Sequence, residues 1–274
     1  MMPRLSIVIV SFNARAHLVN CLESLRAAPP ATSHAIVVVD NASTDGSADA
    51  AREFPSVRVI AMARNAGFAA ANNAGIRGSS GDLVLLLNSD TIVPPRAIDR
   101  LVDRLLIDTA VGIAGPRLVD ADGRVELSFG PMISPLNEAR QKMIGRLYDA
   151  RVGPLVRRVE RETRREQFVD WVSGACLLVR RSAAESAGLL DERFFLYTED
   201  VDFCHAVRAL GYRVLFTPSA EIVHLRGRSR ATAPEAVNAA YRRSQIAFYE
   251  KHHPRWARLL KLYLCVRGKV DGCR

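Results

Sequence analysis

From residue 5 to residue 10 the chain holds an apolar run, broken only by Ser6, that stops abruptly at Ser11-Phe12-Asn13. The same figure recurs through the first half. Residues 35–39 end in Asp40-Asn41, residues 57–62 lead to Arg64-Asn65, and residues 83–87 end in Asn88-Ser89-Asp90. Short apolar runs bounded by polar turn residues predict strands buried on both faces, as in parallel sheets. Between them lie helical spacings. Residues 14–25 place Leu18, Leu22 and Leu25 on one face after a capping Asn13, and residues 68–76 form a short pattern rich in Ala and Asn. A helix opened by Pro94-Pro95 carries Ile98, Leu101, Val102, Leu105 and Leu106, and residues 111–114 close the series. This βαβ rhythm predicts an α/β fold with a doubly wound, mostly parallel sheet and right-handed crossovers.

The second half is patterned differently. Asp120-Ala121-Asp122-Gly123 predicts a hairpin turn between strands at 116–119 and 124–129. Residues 135–167 are Arg-rich with scattered apolar positions, and a helical or mobile segment is expected there. Residues 171–179, 214–216 and 220–223 supply further strands around a helix over 198–210. No internal repeat or low-complexity linker divides the chain, so residues 1–232 are expected to form one unit. The segment 233–274 is expected to be a separate helical tail. After Pro254, residues Trp256, Leu259, Leu260, Tyr263 and Leu264 follow helical spacing and are flanked by Arg255, Arg258, Lys261 and Arg267. Such a helix either lies on an anionic membrane surface or docks on the protein's own body. Leu262, Cys265 and Val266 widen its apolar face beyond what docking needs, which keeps the membrane reading open beside the docked one.

Composition narrows the partners. The 274 residues are 49% hydrophobic and 24% charged, ordinary for a globular protein with a real core. No run of about 18 apolar residues exists to span a bilayer. The chain enters its first strand without a charged leader, which argues against a secretory signal. Cys21, Cys176, Cys204, Cys265 and Cys273 are scattered and form no Cys-x-x-Cys pair. They suit a reducing cytoplasm and argue against a zinc site or a disulfide framework. The net charge of +9 fits nucleic acid, anionic lipid or a polyanionic substrate. Its basic residues crowd into 140–165 and 226–274 with no helix-turn-helix or aromatic RNA-binding pattern, so nucleic acid is not expected as a partner.

The chemistry gathers in four polar clusters. These are Ser11-Phe12-Asn13, Asp40-Asn41-Ala42-Ser43-Thr44-Asp45-Gly46-Ser47, Arg64-Asn65-Ala66-Gly67-Phe68 and Asn88-Ser89-Asp90. Each falls at a strand end or a neighbouring loop, and together they would line one rim of the sheet, where open α/β folds bind extended nucleotides. G-x-G-x-x-G and P-loop sequences are absent, which removes NAD and P-loop readings. A carboxylate at Asp90 can hold a hard divalent cation, and the usual partner of such a cation is a diphosphate. In the second half Glu199-Asp200 lie among Phe194-Phe195-Leu196-Tyr197 and Val201-Asp202-Phe203. Desolvation there would raise a carboxylate toward the range of a general base, although acidic residues are also favoured at a helix N-terminus. His224 ends the run 220–223 and is followed by Arg226, Arg228 and Arg230. A lone strand-end His is more often structural; the guanidinium cluster beside it suits phosphate oxygens.

Taken in order, these segments resemble a family 2 glycosyltransferase of the GT-A fold, in the rhamnosyltransferase-like branch. The residues that carry the likeness are Ser6-Ile7-Val8-Ile9-Val10-Ser11-Phe12-Asn13, Val39 through Ser47, Arg64 through Phe68, Leu87 through Asp90, Trp171-Val172-Ser173-Gly174-Ala175, Thr198 through Asp202, and His224. The resemblance implies a Rossmann-like donor half to about residue 116 and a smaller acceptor-side half to 232. It implies that Asp40 binds a pyrimidine base, with Ser11, Asn13, Asn41, Arg64, Asn65, Gly67, Asn88 and Ser89 around the nucleotide-sugar. Asp90 would be the principal ligand of Mn²⁺ or Mg²⁺, with His224 and Asn88 as further ligands and Arg226 and Arg228 on the diphosphate. Asp200 would be the catalytic base beside Glu199, and Trp171, Gly174 and Asp202 would lie on the acceptor side.

Many relatives carry Asp-x-Asp where this chain has Asn88-Ser89-Asp90, which lowers the site's charge and should weaken metal binding. The implied activity is inverting transfer of a sugar from a nucleotide-diphosphate donor, on branch resemblance dTDP-L-rhamnose. The acceptor would be a hydroxyl of a cell-surface polysaccharide or lipid-linked glycan, met in the cytoplasm or at the inner face of the cell membrane. Two alternatives stand beside it: a GT-A shell that binds without turnover, supported only by Asn88, and a nucleotidyltransferase that would release pyrophosphate.

Overall fold

The computed structural model describes residues 4–225 and 234–267. Four strands, β1 (Leu5–Ser11), β2 (His34–Asp40), β3 (Val57–Ala61) and β4 (Leu83–Asn88), pair in parallel in the order β3-β2-β1-β4. The helices that connect them are α1 (Arg15–Ala27), α2 (Ser47–Arg52) and α3 (Phe68–Arg77). Side chains of a strand alternate between faces, so each strand feeds two cores. Ile7, Ile9, Leu85 and Leu87 pack with Leu18, Leu22 and Leu25 of α1 and with Ile98, Leu101 and Leu105 of α4 (Ala97–Ile107). Val8, Val37, Val39, Val84 and Leu86 face Ala69, Ala71 and Ile76 of α3. The small residues of α3 let it lie close to the sheet: a Cβ on Gly75 would stand 2.3 Å from Val8 Cγ1.

The second half completes a nine-stranded sheet among the described residues, in the order β3-β2-β1-β4-β10-β6-β11-β5 with β8 also on β11. Here β6 is Val111–Val119, β10 is Cys176–Arg180, β11 is Arg213–His224, β5 is Thr91–Ile92 and β8 is Gln167–Val169. β6 and β11 are parallel, whereas β10 runs antiparallel between β4 and β6, and β5 and β8 pair antiparallel with β11. The first four strands are thus wholly parallel, as the βαβ pattern predicts, and the rest is mixed.

Several expected elements differ in detail. The 120–123 turn forms, with Asp120 Oδ1 accepting the amides of Asp122 and Arg124, but its return limb makes only a Val119–Val125 bridge. β11 holds one edge of β6 and β10 takes the other at Ile113–Ala114, which leaves no long edge to pair with. The expected strand over 171–179 is two strands, β9 (Trp171–Val172), paired with β7 (Phe129–Gly130), and β10, separated by a turn at Ser173-Gly174-Ala175. The apolar runs at 214–216 and 220–223 belong to the single strand β11, whose register slips between Thr217 and Glu221 around Pro218, a residue with no N–H for the ladder. Residues 135–167 contain α5 (Pro135–Asp149), capped by Ser134 Oγ, and α6 (Gly153–Glu162). A short α7 (Arg181–Ser186) follows β10, and α8 is Glu199–Ala209.

The C-terminal helices are α9 (Pro234–His252) and α10 (Pro254–Val266). Phe248 and Tyr249 of α9 and Ala257 of α10 share a buried cluster with Phe194 and Val201, the docked arrangement that was one of the two expected for this segment. Cys21, Cys176 and Cys204 are free and buried, whereas Cys265 is disulfide-bonded.

Candidate active site

Strand register gathers the first group of polar residues. Ser11 lies opposite Asp40 at the ends of β1 and β2, and Val10 lies opposite Asn88 at the end of β4. Ser11 Oγ, Asp40 Oδ1 and Asn88 Oδ1 are buried and have no hydrogen-bond partner among the described residues. Buried polar atoms are normally paired, so three orphans along one sheet edge mark a place shaped for a ligand.

The surrounding loops are fastened to one another. Asn13, at φ 49°, accepts the Thr44 amide through Oδ1 (2.8 Å) and donates its own amide to Ser43 Oγ (3.0 Å). Asp40 Oδ2 accepts the Ser43 amide (3.1 Å), which leaves its other oxygen free for a ligand. Asn41 donates to Asn65 Oδ1 (2.9 Å) and accepts the Ala66 amide (3.0 Å), closing the second loop on the third. Gly67 has φ +93°, and a Cβ there would stand 2.6 Å from the Phe195 carbonyl oxygen, which itself accepts the Phe68 amide (2.7 Å). Arg64 is exposed and Ser89 is buried.

The second group forms because β5 pairs with the end of β11, setting Thr91 beside His224 while Leu225 donates to the Asp90 carbonyl (2.8 Å). His224 Nε2 lies 3.2 Å from Asp90 Oδ1 and 3.4 Å from Asn88 Nδ2, and Nδ1 lies 3.1 Å from Glu126 Oε2. Burial alone would lower the His224 pKa, but its bonds to the two carboxylates prevail and raise it to about 9. Burial alone would raise Asp90, and here the His224 hydrogen bond and charge prevail and hold it below the ordinary carboxylate range. Glu126, buried at 5% exposure, was missed in the sequence. Its signal was a lone acid between Val125 and Leu127, which the hairpin expectation absorbed as an ordinary strand position.

This corner offers Asp90, the unpartnered Asn88 Oδ1 and the Nε2 edge of His224 to a cation. Among the described residues no group of three or more His, Cys, Asp or Glu is arranged to hold a metal ion by itself, so the protein supplies a partial shell. That fits a hard divalent ion of the Mg²⁺ type, which takes one or two carboxylates and completes its shell with water and substrate phosphate oxygens.

The third group is joined to the other two by the Ser173-Gly174-Ala175 turn. Ala175 accepts the Asn88 amide (2.9 Å), Ser173 donates to Ser128 (2.8 Å), and Gly174 donates its amide to Asp200 Oδ2 (2.8 Å). Asp200 lies in the first turn of α8, which follows Tyr197 and Thr198, two consecutive left-handed residues at φ 70° and 67°. Such backbone strain in non-glycine residues costs of order 1–3 kcal/mol each and persists where the surroundings enforce it. Burial raises the Asp200 pKa against the opposing amide bonds from Gly174 and Val201, while the side chain keeps part of its surface open.

Neighbouring acids behave differently. Glu199 is fully enclosed, Oε2 has no partner among the described residues, and burial reinforced by the Asp200 charge pushes its pKa well up. Asp202, expected on the acceptor side, is turned to another use: it bonds His252 (2.6 Å) and Lys251 (2.9 Å) of α9 because it lies on the buried face of α8. Trp171 donates Nε1 to the Pro131 carbonyl (2.9 Å) and lines a cavity with Glu126 and Phe129. Arg226 and Arg228 lie outside the described residues.

Residues 6–186 match the Glycosyl transferase family 2 model. The chain belongs to glycosyl transferase family 2. It is 33% identical over 266 residues to the N-acetylglucosaminyl-diphospho-decaprenol L-rhamnosyltransferase of Mycobacterium tuberculosis, covering 93% of this chain and 86% of that protein. A hexosyltransferase of low-salt glycan biosynthesis in Haloferax volcanii is 28% identical over 76% of this chain and 62% of its own. Among solved structures, a mannosyltransferase of Pyrobaculum calidifontis in complex with GDP-Man and Mn²⁺ superposes with TM-score 0.63 at 18% identity, covering 95% of this chain and 69% of that one. GalNAc-T7, solved with UDP, GalNAc and Mn²⁺, gives TM-score 0.62 at 17% identity over 82% and 43%. The fold of this family 2 glycosyltransferase is GT-A, and its activity is transfer of a sugar to a glycan acceptor.

Proposed function

We propose that this glycosyltransferase moves L-rhamnose from dTDP-rhamnose, with inversion, onto a hydroxyl of a lipid-linked glycan at a membrane face. The reading is supported above all by the orphaned Ser11 Oγ, Asp40 Oδ1 and Asn88 Oδ1 along one sheet edge, joined through the 173–175 turn to Asp200. Asp40 and the fastened loops at 41–44 and 64–67 receive the nucleotide base and ribose. Asp90, Asn88 and a deprotonated His224 would hold Mn²⁺ or Mg²⁺, which when bound supplies charge neutralisation for a diphosphate leaving group.

Asp200 accepts the proton of the acceptor hydroxyl as its oxygen bonds to the anomeric carbon, and the bond from that carbon to the diphosphate oxygen breaks on the opposite face. The nucleoside diphosphate leaves with the electron pair. The Gly174 amide fixes the carboxylate, and burial gives it enough basicity to take the proton. Likeness to the mycobacterial rhamnosyltransferase supports both the rhamnosyl group and a diphospho-lipid acceptor.

The test is a panel of nucleotide-sugars with Mn²⁺ and a lipid-diphosphate acceptor, read by mass spectrometry. Transfer from dTDP-rhamnose is expected, and Asp200→Asn should lower the rate on the order of 10²–10⁴-fold. Unchanged rates in Asp200→Asn and Asp90→Ala would overturn the assignment of the site, and preference for another donor would overturn rhamnose.

A further inference from the structure

Among the described residues, the most exposed large apolar side chains gather on two helices remote in sequence, α5 and α10. α5 has no buried residue. Leu136 (84% exposed), Met143 (56%) and Leu147 follow one another at spacings that keep them on one outward stripe, with Arg140 and Arg146 beside it. α10 buries Ala257 and Leu264 on its inner side. On the opposite arc Trp256, Leu259, Leu262, Tyr263 and Val266 (80%) all face outward. Arg258 and Arg267 flank that arc, Arg255 joins it at the N-terminal end, and α10 carries no acidic residue. An outward apolar arc with cationic flanks is the pattern of a helix lying in a lipid interface.

The two helices start from one junction. His253, the residue before α10, bonds the Ile133 carbonyl just before α5 (2.7 Å), and Ile133 and Met132 pack against the buried cluster that includes Ala257. Glu138 of α5 is bonded by Tyr249 Oη (2.8 Å) and by Gln245 of α9. α5 also lines a cavity of about 1400 Å³ that it shares with Glu126 and Trp171, residues next to the candidate site. No helix among the described residues is long and apolar enough to cross a membrane, so a lipid contact here would be made by lying on the surface.

We infer that α5 and α10 together form a docking platform for an anionic bilayer, with the cavity behind α5 admitting the head group of a lipid-borne acceptor. This deepens the proposed function and rests on its lipid-linked acceptor for the cavity's role. The cationic flanks select the occupant: an anionic bilayer complements them, whereas a second copy would set like charges against each other. The segments outside the described residues are themselves basic or mixed (Arg226, Arg228 and Arg230; Lys269, Asp271 and Arg274), so they do not offer the missing negative charge either. Anionic leaflets attract such clusters and hold the apolar side chains at the acyl boundary.

The experiment is vesicle flotation of the full chain with phosphatidylcholine alone, or with one part phosphatidylglycerol to two parts phosphatidylcholine. Binding to the anionic vesicles only is expected. Met143→Glu with Leu147→Glu on α5, and separately Leu259→Glu with Val266→Glu on α10, should each weaken it about tenfold or more, since each removes two large apolar side chains from lipid. These positions are exposed, so circular dichroism and melting temperature should match the parent, as should nucleoside diphosphate release with a water-soluble acceptor. Equal binding to neutral vesicles, unchanged binding in the α5 variant, or a dimer in light scattering that either variant dissolves would each overturn the platform. Absence of transfer by the parent protein, with vesicle binding intact, would instead overturn the proposed reaction and leave the surface standing.

Discussion

Glu199 and Asp200 are adjacent carboxylates with opposite fates. Asp200 keeps an open edge and takes an amide from Gly174, whereas Glu199 is enclosed with an unpaired oxygen. The sequence shows the pair but not which member faces the cleft, because that depends on the left-handed turn at Tyr197-Thr198. A raised folded pKa has a definite consequence for Glu199. Below the unfolded carboxylate value both states are protonated; above it the folded state keeps a proton that the unfolded state has released, so stability falls as pH rises toward the folded value. Glu199→Gln removes that slope. Its melting temperature relative to the parent should therefore improve steadily between about pH 5 and pH 8, as calorimetry would show, and a flat difference would place the Glu199 carboxyl in water.

At the scale of elements, the informative contact is between α8 and α9. Asp202 of α8 is buried against Lys251 and His252, Thr198 donates to the Ser244 carbonyl (3.4 Å), and Ser244 donates to the Leu196 carbonyl (2.8 Å). The strained turn that aims Asp200 is therefore held from behind by α9. Asp202→Asn should cost about 3 kcal/mol, at the low end for a broken buried pair because Lys251 keeps some water. Melting should fall by roughly 5–10 °C. Truncation before Pro234 should leave an aggregating chain, since it uncovers Phe194 and Val201; a soluble, fully active truncation would show α9 to be dispensable.

For the whole molecule, the donor site and the sheet are one object, so donor binding should report as global stability. A nucleoside diphosphate with Mn²⁺ at a hundredfold excess over Kd should add about 2.7 kcal/mol and raise the melting temperature by roughly 5–10 °C. Asp40→Asn retains the acceptor for the Ser43 amide, so it should fold normally and lose most of that shift. A full shift in this variant would move the nucleotide away from the β1–β2 edge.

The sequence by itself determined the four parallel strands β1–β4, because each is a local apolar run that ends in its own polar residues. It also placed Ser11, Asp40, Asn88 and Asp90 at strand ends, since alternation and turn chemistry are short-range. Only the tertiary structure decided which residues meet across distance. Glu126 reaches His224 because the end of β11 pairs with β5, and the turn at Ser173-Gly174-Ala175 leaves the sheet to connect Asn88 with Asp200. Asp202 goes to α9 and not to the cleft, and two basic-flanked helices come to a common junction. Such pairings depend on strand order and helix docking, which no local pattern of hydrophobic and polar residues encodes.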